Sequence, residues 1–229
     1  MENLYYSNII YLVSFLITLI AQIFVSSSYS RYKKILNSKD NTGYDTARKI
    51  LDKNNLEDVM ILETKGNLTD HYDPKRKVIK LSTDIYHGSS IASAAVAAHE
   101  CGHAIQDKNK YIPMRIRSAI VPFVNICTRL GYLAILIGLI FNRAPLLEAG
   151  IILLLAMLVF QLITLPVEFN ASKRALNELE KEKILNKEEK GNARNMLVAA
   201  AFTYVASVLS TLLQIFRLVL ISSSSDRRH

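Results

Sequence analysis

The sequence predicts a mainly α-helical membrane protein, with about four transmembrane helices and a small α+β region between the first two. Three observations predict it. Half of the 229 residues are hydrophobic, but they gather into blocks at 9–27, 118–141, 146–167 and 196–220, and about 20 consecutive apolar residues suffice to cross a bilayer. The basic residues are just as unevenly spread: 16 Lys and Arg fall within 30–117 and seven within 168–194, against Arg143 alone between the second and third blocks. The polar stretch after the first block then alternates short apolar segments with turn residues before an alanine-rich run. The organisation this gives is an anchor at 1–29, a polar domain at 30–117, a transmembrane hairpin at 118–167, a polar helix at 168–194 and a last transmembrane helix and tail at 195–229.

Charge orients these blocks. Short cytoplasmic segments carry the Lys and Arg excess, so the two polar regions are expected in the cytoplasm, with both termini outside. Met1 to Asn8 holds no Lys or Arg and therefore lacks the basic start of a cleaved secretory signal, which reads as a retained anchor. The net charge of +8 is in this reading a topological signal. Nucleic-acid binding is not expected, because the cations are dispersed among acids with no patch of interleaved aromatics. Cys101 and Cys127 sit in unrelated settings and give no disulfide framework. Low Gly and Pro content excludes collagen-like and low-complexity classes. Arg129 and Arg217 fall inside apolar blocks, and snorkelling to the interface is the expected fate of each.

Within the first polar region, residues 41–55 read as a short helix capped by Thr42 or Asp45, with Ala47, Ile50 and Leu51 on one face. Residues 59–62 and 77–82 read as strands, the second after the Asp73-Pro74 turn. Ser89 or Ser90 then caps the run SIASAAVAAHECGHAIQ, whose small unbranched residues favour helix.

That last helix carries His99-Glu100-Cys101-Gly102-His103, an H-E-x-x-H pattern. Residues four apart on a helix share a face, so the two imidazoles can converge on one ion, with Glu100 flanking it as a base for a water molecule. A catalytic zinc site takes three protein ligands, and no third His or Cys follows at short spacing. Glu148 lies at the outer end of the expected hairpin, a bilayer away. Glu168 lies where the hairpin returns to the face it left soon after the H-E-x-x-H helix, which makes it the expected third ligand, at one Zn2+ per chain.

The combination of HExxH, a membrane hairpin and a Glu-bearing helix resembles the gluzincin-type membrane metallopeptidases, the group of the CaaX prenyl protease and the bacterial heat-shock membrane protease. The stretch GNLTDHYDPKRKVIKLSTDIYHGSSIASAAVAAHECGHAIQ is more closely similar to the bacterial neutral zinc metallopeptidase family of small membrane proteins. The resemblance covers residues 42–117 and the Glu168 helix. It implies a zincin-like cytoplasmic domain, a multi-pass location in a bacterial cell membrane, His99, His103 and Glu168 as zinc ligands, and Glu100 as catalytic base. The chain departs from the wider group at one place. Where that group has E-x-x-x-D, with the Asp supporting a metal histidine, this sequence has Ser172; Asn170 is a second candidate supporter.

The expected chemistry is hydrolysis of a peptide bond in a peptide or membrane-protein substrate at the bilayer surface. An oxyanion needs a further donor, and His71, Tyr72, Tyr86 and Arg174 are the candidates. Val78, Ile79, Lys80 and Leu81 are expected to form an edge strand on which an extended substrate lies. Two other classes fit parts of the sequence: a non-catalytic zinc-binding membrane adaptor, and a small transporter.

Overall fold

Four of the helices in the computed structural model, which describes residues 2–67 and 69–226, are long and apolar enough to cross a membrane. They are α1 (Glu2–Tyr32), α5 (Ile112–Ile140), α6 (Ala144–Lys181) and α7 (Lys187–Asp226). Between α1 and α5 lie α2 (Gly43–Lys53), β1 (Met60–Thr64), β2 (His71–Asp73), β3 (Val78–Ser82), α3 (Thr83–His87) and α4 (Ile91–Lys108). The predicted mainly helical architecture with a small sheet is what the chain adopts. Arg227, Arg228 and His229 of the tail lie outside the described residues. The chain divides into two compact units, and several long helices contribute to both.

One unit comprises Ile23–Arg115 and Pro166–Phe202. Its core is built on α4, whose small residues Ala92, Ala94, Ala95, Ala97, Ala98 and Ala104 are fully buried. Such a helix lets its neighbours approach closely on every side. α2 begins with a reciprocal capping box, in which Thr42 accepts from Asp45 N–H and the Asp45 carboxylate accepts from Thr42 N–H. Its buried residues Ala47, Ile50 and Leu51 join the same core. Ser90 caps α4 by accepting from Ser93 N–H.

The sheet has the order β1-β3-β2. β1 runs parallel to β3, pairing Met60 with Val78, and β2 runs antiparallel to it, pairing His71 with Lys80. This corrects the expectation for Val78 to Leu81. β3 is the central strand, hydrogen-bonded on both sides, so its backbone has no free edge to offer a substrate. The physical sign is its burial: Val78, Ile79 and Leu81 are all buried, where a strand with one wet face would alternate. The outer strands are β1 and β2, and the sequence reading did not identify β2 as a strand. β2 is pinned there by Asp70, which accepts from both the backbone N–H (2.7 Å) and the hydroxyl (3.1 Å) of Ser82. Burial nevertheless raises the Asp70 pKa, the Ser82 hydrogen bonds only partly opposing it.

α6 is a single helix from Ala144 to Lys181 that passes through Pro166, so the third apolar block and the polar Glu168 segment are one element. Proline lacks an N–H, so this helix forgoes one backbone bond just before Glu168.

The other unit comprises Met1–Gln22, Ile116–Leu165 and Thr203–His229. Its helices turn large apolar side chains outward, among them Phe123, Ile140 and Ile152, a surface that suits lipid far better than water. Small residues bring α5 and α6 together: a Cβ on Gly150 would meet Ile135 Cγ1 at 2.5 Å and Gly131 O at 2.9 Å. α1 and α7 are joined by Ser14 and Ser210, whose hydroxyls lie 2.6 Å apart. Arg217 donates to Ser7 Oγ at 3.0 Å and lies over the Tyr11 ring.

Candidate metal centre

The H-E-x-x-H residues lie on α4, and the helical repeat sets His99 and His103 one turn apart on the same face, their ring centroids 4.8 Å apart. Glu168 comes from α6. One of its oxygens, Oε2, lies 3.2 Å from His99 Nε2 and 3.6 Å from His103 Nε2. One ligand atom from each residue falls within 4.8 Å of the others. Nitrogen and oxygen donors at about 2.0–2.2 Å from a tetrahedral ion stand about 3.3 Å from one another, so the observed spacing suits a single ion. Two neutral imidazoles and a carboxylate are also a donor set that zinc takes in catalytic sites. Glu168 is only 2 % exposed.

Gly102 makes this meeting possible. A Cβ there would sit 2.5 Å from the backbone oxygen of Ala171 on α6, so the two helices touch backbone to backbone within one turn of all three donors. A glycine inside a helix costs about 0.5–1 kcal/mol relative to alanine, and here it is exchanged for proximity.

Around the donors the supports differ. Ser172 Oγ lies 3.2 Å from His99 Nδ1, where the sequence led us to expect a neutral supporter. Asn170 does not touch an imidazole; its Oδ1 accepts from Gln106 Nε2 (3.0 Å) and from Arg174 Nε (2.7 Å). Gln106 is the residue that sequence reading missed. Fully buried, it places Oε1 3.0 Å from His103 Nδ1 and donates through Nε2 to Val167 O at 2.7 Å. The signal was present, because Gln106 falls three residues after His103 and hence on its face.

The other candidates have engagements of their own. Tyr72 donates its hydroxyl to Asp107 at 2.9 Å, and burial followed by the Asp107 hydrogen bond pushes its pKa well up. His71 Nδ1 donates to Thr69 O at 2.8 Å from an exposed position. Tyr86 packs its ring against Tyr44, with centroids 5.1 Å apart. Glu100 is buried at 7 % exposure. Cys101, on another face of α4, lies 3.6 Å from Ala47 O, and burial drives its thiol pKa well up, away from the thiolate form that binds metals.

For His103, burial disfavours the imidazolium. The hydrogen bond with Glu168 and the negative field of Glu100 and Glu168 more than offset it, and the pKa is raised above the ordinary 6.5.

Long apolar helices, and a His-His-Glu cluster formed between an HExxH helix and the helix that carries Glu168, define a membrane protein of the zinc-peptidase class. The chain belongs to the family described as "putative neutral zinc metallopeptidase", which it matches over residues 7–223. It is 44% identical over 201 residues to the "Putative membrane protease YugP" of Bacillus subtilis (strain 168), covering 88% of this chain and 89% of that protein. No solved structure gives a significant match.

Two outcomes are expected at this site. Gly102→Ala forces a methyl group against the Ala171 carbonyl and should lower stability by about 1–3 kcal/mol, with weakened zinc binding, as read by thermal unfolding and metal titration; an unchanged melting point would mean that the helices part freely. A zinc ion held by His103 would need its unprotonated Nε2, and the raised pKa means the proton competes at higher pH than at an ordinary histidine. Zinc affinity should therefore fall on acidification starting above pH 6.5, the ordinary value, by about tenfold per unit for one competing proton. The charged pair that His103 makes with Glu168 has the matching sign. It stabilises the metal-free fold below the ordinary value and is lost as pH rises through the raised one. A flat zinc affinity between about pH 6 and 8 would contradict this.

Proposed function

We propose that this protein is a membrane-integral zinc metalloendopeptidase that hydrolyses peptide bonds at the cytoplasmic face of the membrane, with a zincin-like domain formed around α4. The observation that carries the proposal is the convergence of His99 Nε2, His103 Nε2 and a Glu168 carboxylate oxygen beside the buried Glu100. His99, His103 and Glu168 would hold one Zn2+, which when bound supplies the Lewis acidity that makes water nucleophilic near neutral pH. Glu100, the next residue to His99, takes the proton of the attacking water and returns it to the departing amine. Its burial keeps bulk water from competing for that proton.

The cytoplasmic assignment is supported by the 16 and seven Lys and Arg that gather in the two polar stretches. Substrate pairing in this reading falls to β2, one of the two outer strands, whose far side has no strand partner among the described residues and whose Tyr72 is tied to α4 through Asp107. An extended segment of a membrane protein or an unfolded chain near the bilayer would add there as a further strand.

Glu100→Gln is expected to retain zinc and to lose proteolysis by about 10²–10⁴-fold, assayed on purified protein with an unfolded protein substrate. His99→Ala and Glu168→Ala should lose the metal itself by elemental analysis. Equal cleavage by Glu100→Gln and wild type would defeat the mechanism. A zinc-loaded wild type inert on many peptides would instead favour the adaptor reading.

A further inference from the structure

The two imidazoles of the centre are supported unequally. Beside His99 Nδ1 stands a serine hydroxyl, which both donates and accepts, so Ser172 is compatible with either tautomer of His99. Beside His103 Nδ1 stands the carboxamide of Gln106, and its orientation is not free. One end of that carboxamide faces Val167 O at 2.7 Å. A backbone carbonyl can only accept, so the end facing it must be the NH2. The opposite end, 3.0 Å from His103 Nδ1, is therefore the carbonyl oxygen, which can only accept. His103 must then carry its proton on Nδ1, leaving the Nε2 lone pair pointed at Glu168 and the metal position. The same NH2 reaches Asn170 Oδ1 at 3.0 Å, and Gln106 is fully buried, so water cannot substitute for either partner.

We infer that Gln106 is the positioning residue of the centre: it locks His103 in the Nδ1–H tautomer and ties that imidazole to the turn of α6 that delivers Glu168. The backbone carbonyl that orients Gln106 belongs to Val167, the residue next to Glu168. One carboxamide thus sets both the electronic form of a ligand on α4 and its distance from a ligand on α6. This rests on the zinc-centre reading above and adds to it a direction of dependence: His103 relies on Gln106, whereas His99 has no comparable fixed acceptor.

The test compares three classes of full-length protein in detergent. His103→Ala and Glu168→Ala establish the centre by losing zinc. Gln106→Met keeps the bulk without the acceptor, and Gln106→Glu restores an acceptor for Nδ1–H while giving up the amide donors. Zinc affinity is read by competition with a chromophoric chelator. The tautomer of metal-free protein is read at alkaline pH from long-range ¹⁵N–¹H correlations of the imidazoles, and ligand geometry from the visible spectrum of the Co2+-loaded protein. Gln106→Met should bind zinc about 10–100-fold more weakly, show His103 as a mixture of tautomers and alter the Co2+ bands. Gln106→Glu should recover the Nδ1–H signal and part of the affinity. Wild-type tautomer and affinity in Gln106→Met would overturn the inference while leaving the centre intact. Unimpaired zinc binding by His103→Ala and Glu168→Ala would instead overturn the centre. Should Gln106→Met fail to fold, an Nε2–H signal for His103 in metal-free wild type overturns the inference equally.

Discussion

Contact between the backbones of α4 and α6 at Gly102 and Ala171 sets the distance within which every polar group of the centre must work. A carboxylate as deeply buried as Glu168 costs several kcal/mol in desolvation unless charge and hydrogen bonds compensate it. Compensation here comes from two imidazole nitrogens, at 3.2 and 3.6 Å. Those distances exist only because no side chain intervenes at the crossing. The alanine-rich composition of α4 has the same origin. Bulkier residues would fill the core equally well, but would hold the helices apart by more than an imidazole and a carboxylate can span.

Close contact alone does not hold a helix at one angle, and α4 is tied along its length. At its start, Ile91 N–H donates to Ile35 O at 2.8 Å and Leu36 forms a bridge with Ser90. The same strand-like segment continues to Ser38, whose N–H donates to the buried Glu189 of α7 at 2.6 Å. On another side, α2 binds the end of α6 through Asn54, which donates to Glu178 at 2.8 Å, and Lys49, which donates to Glu182 O at 2.8 Å. The elements that carry the donors are thus fixed by hydrogen bonds remote from them, as a preorganised site requires.

How much of this could be read beforehand follows from which signals are local. Membrane-spanning length is a property of one segment, and the four apolar blocks correspond to α1, α5, α6 and α7, whose polar ends were not counted. The H-E-x-x-H pattern is equally local, and Glu168 came from topology rather than spacing. β2 was hidden because its residues are polar and its pairing depends on a contact between Asp70 and Ser82 that sequence does not display. The central place of β3 was legible in principle, since three apolar residues in the four from Val78 to Leu81 signal burial on both faces. Gln106 was passed over because a polar residue in the last turns of a helix ordinarily faces water.

Ser172 then acquires a physical sense that sequence comparison alone withheld. The centre holds the carboxyl groups of Glu100 and Glu168 in surroundings almost closed to solvent, at 7 % and 2 % exposure. In the proposed reading, two carboxyl groups and two imidazoles would already supply the negative charge that one divalent cation needs. A third carboxylate at position 172 would leave an uncompensated negative charge in a poorly hydrated site, at a cost that rises steeply as the dielectric falls. The neutral hydroxyl avoids that cost and gives up the firm orientation that a charged partner would bring to His99. Orientation is instead concentrated on His103, through a neutral carboxamide whose hydrogen-bonding direction a backbone carbonyl dictates. A site built from uncharged supports can therefore be buried near a membrane without each support demanding a counter-ion of its own.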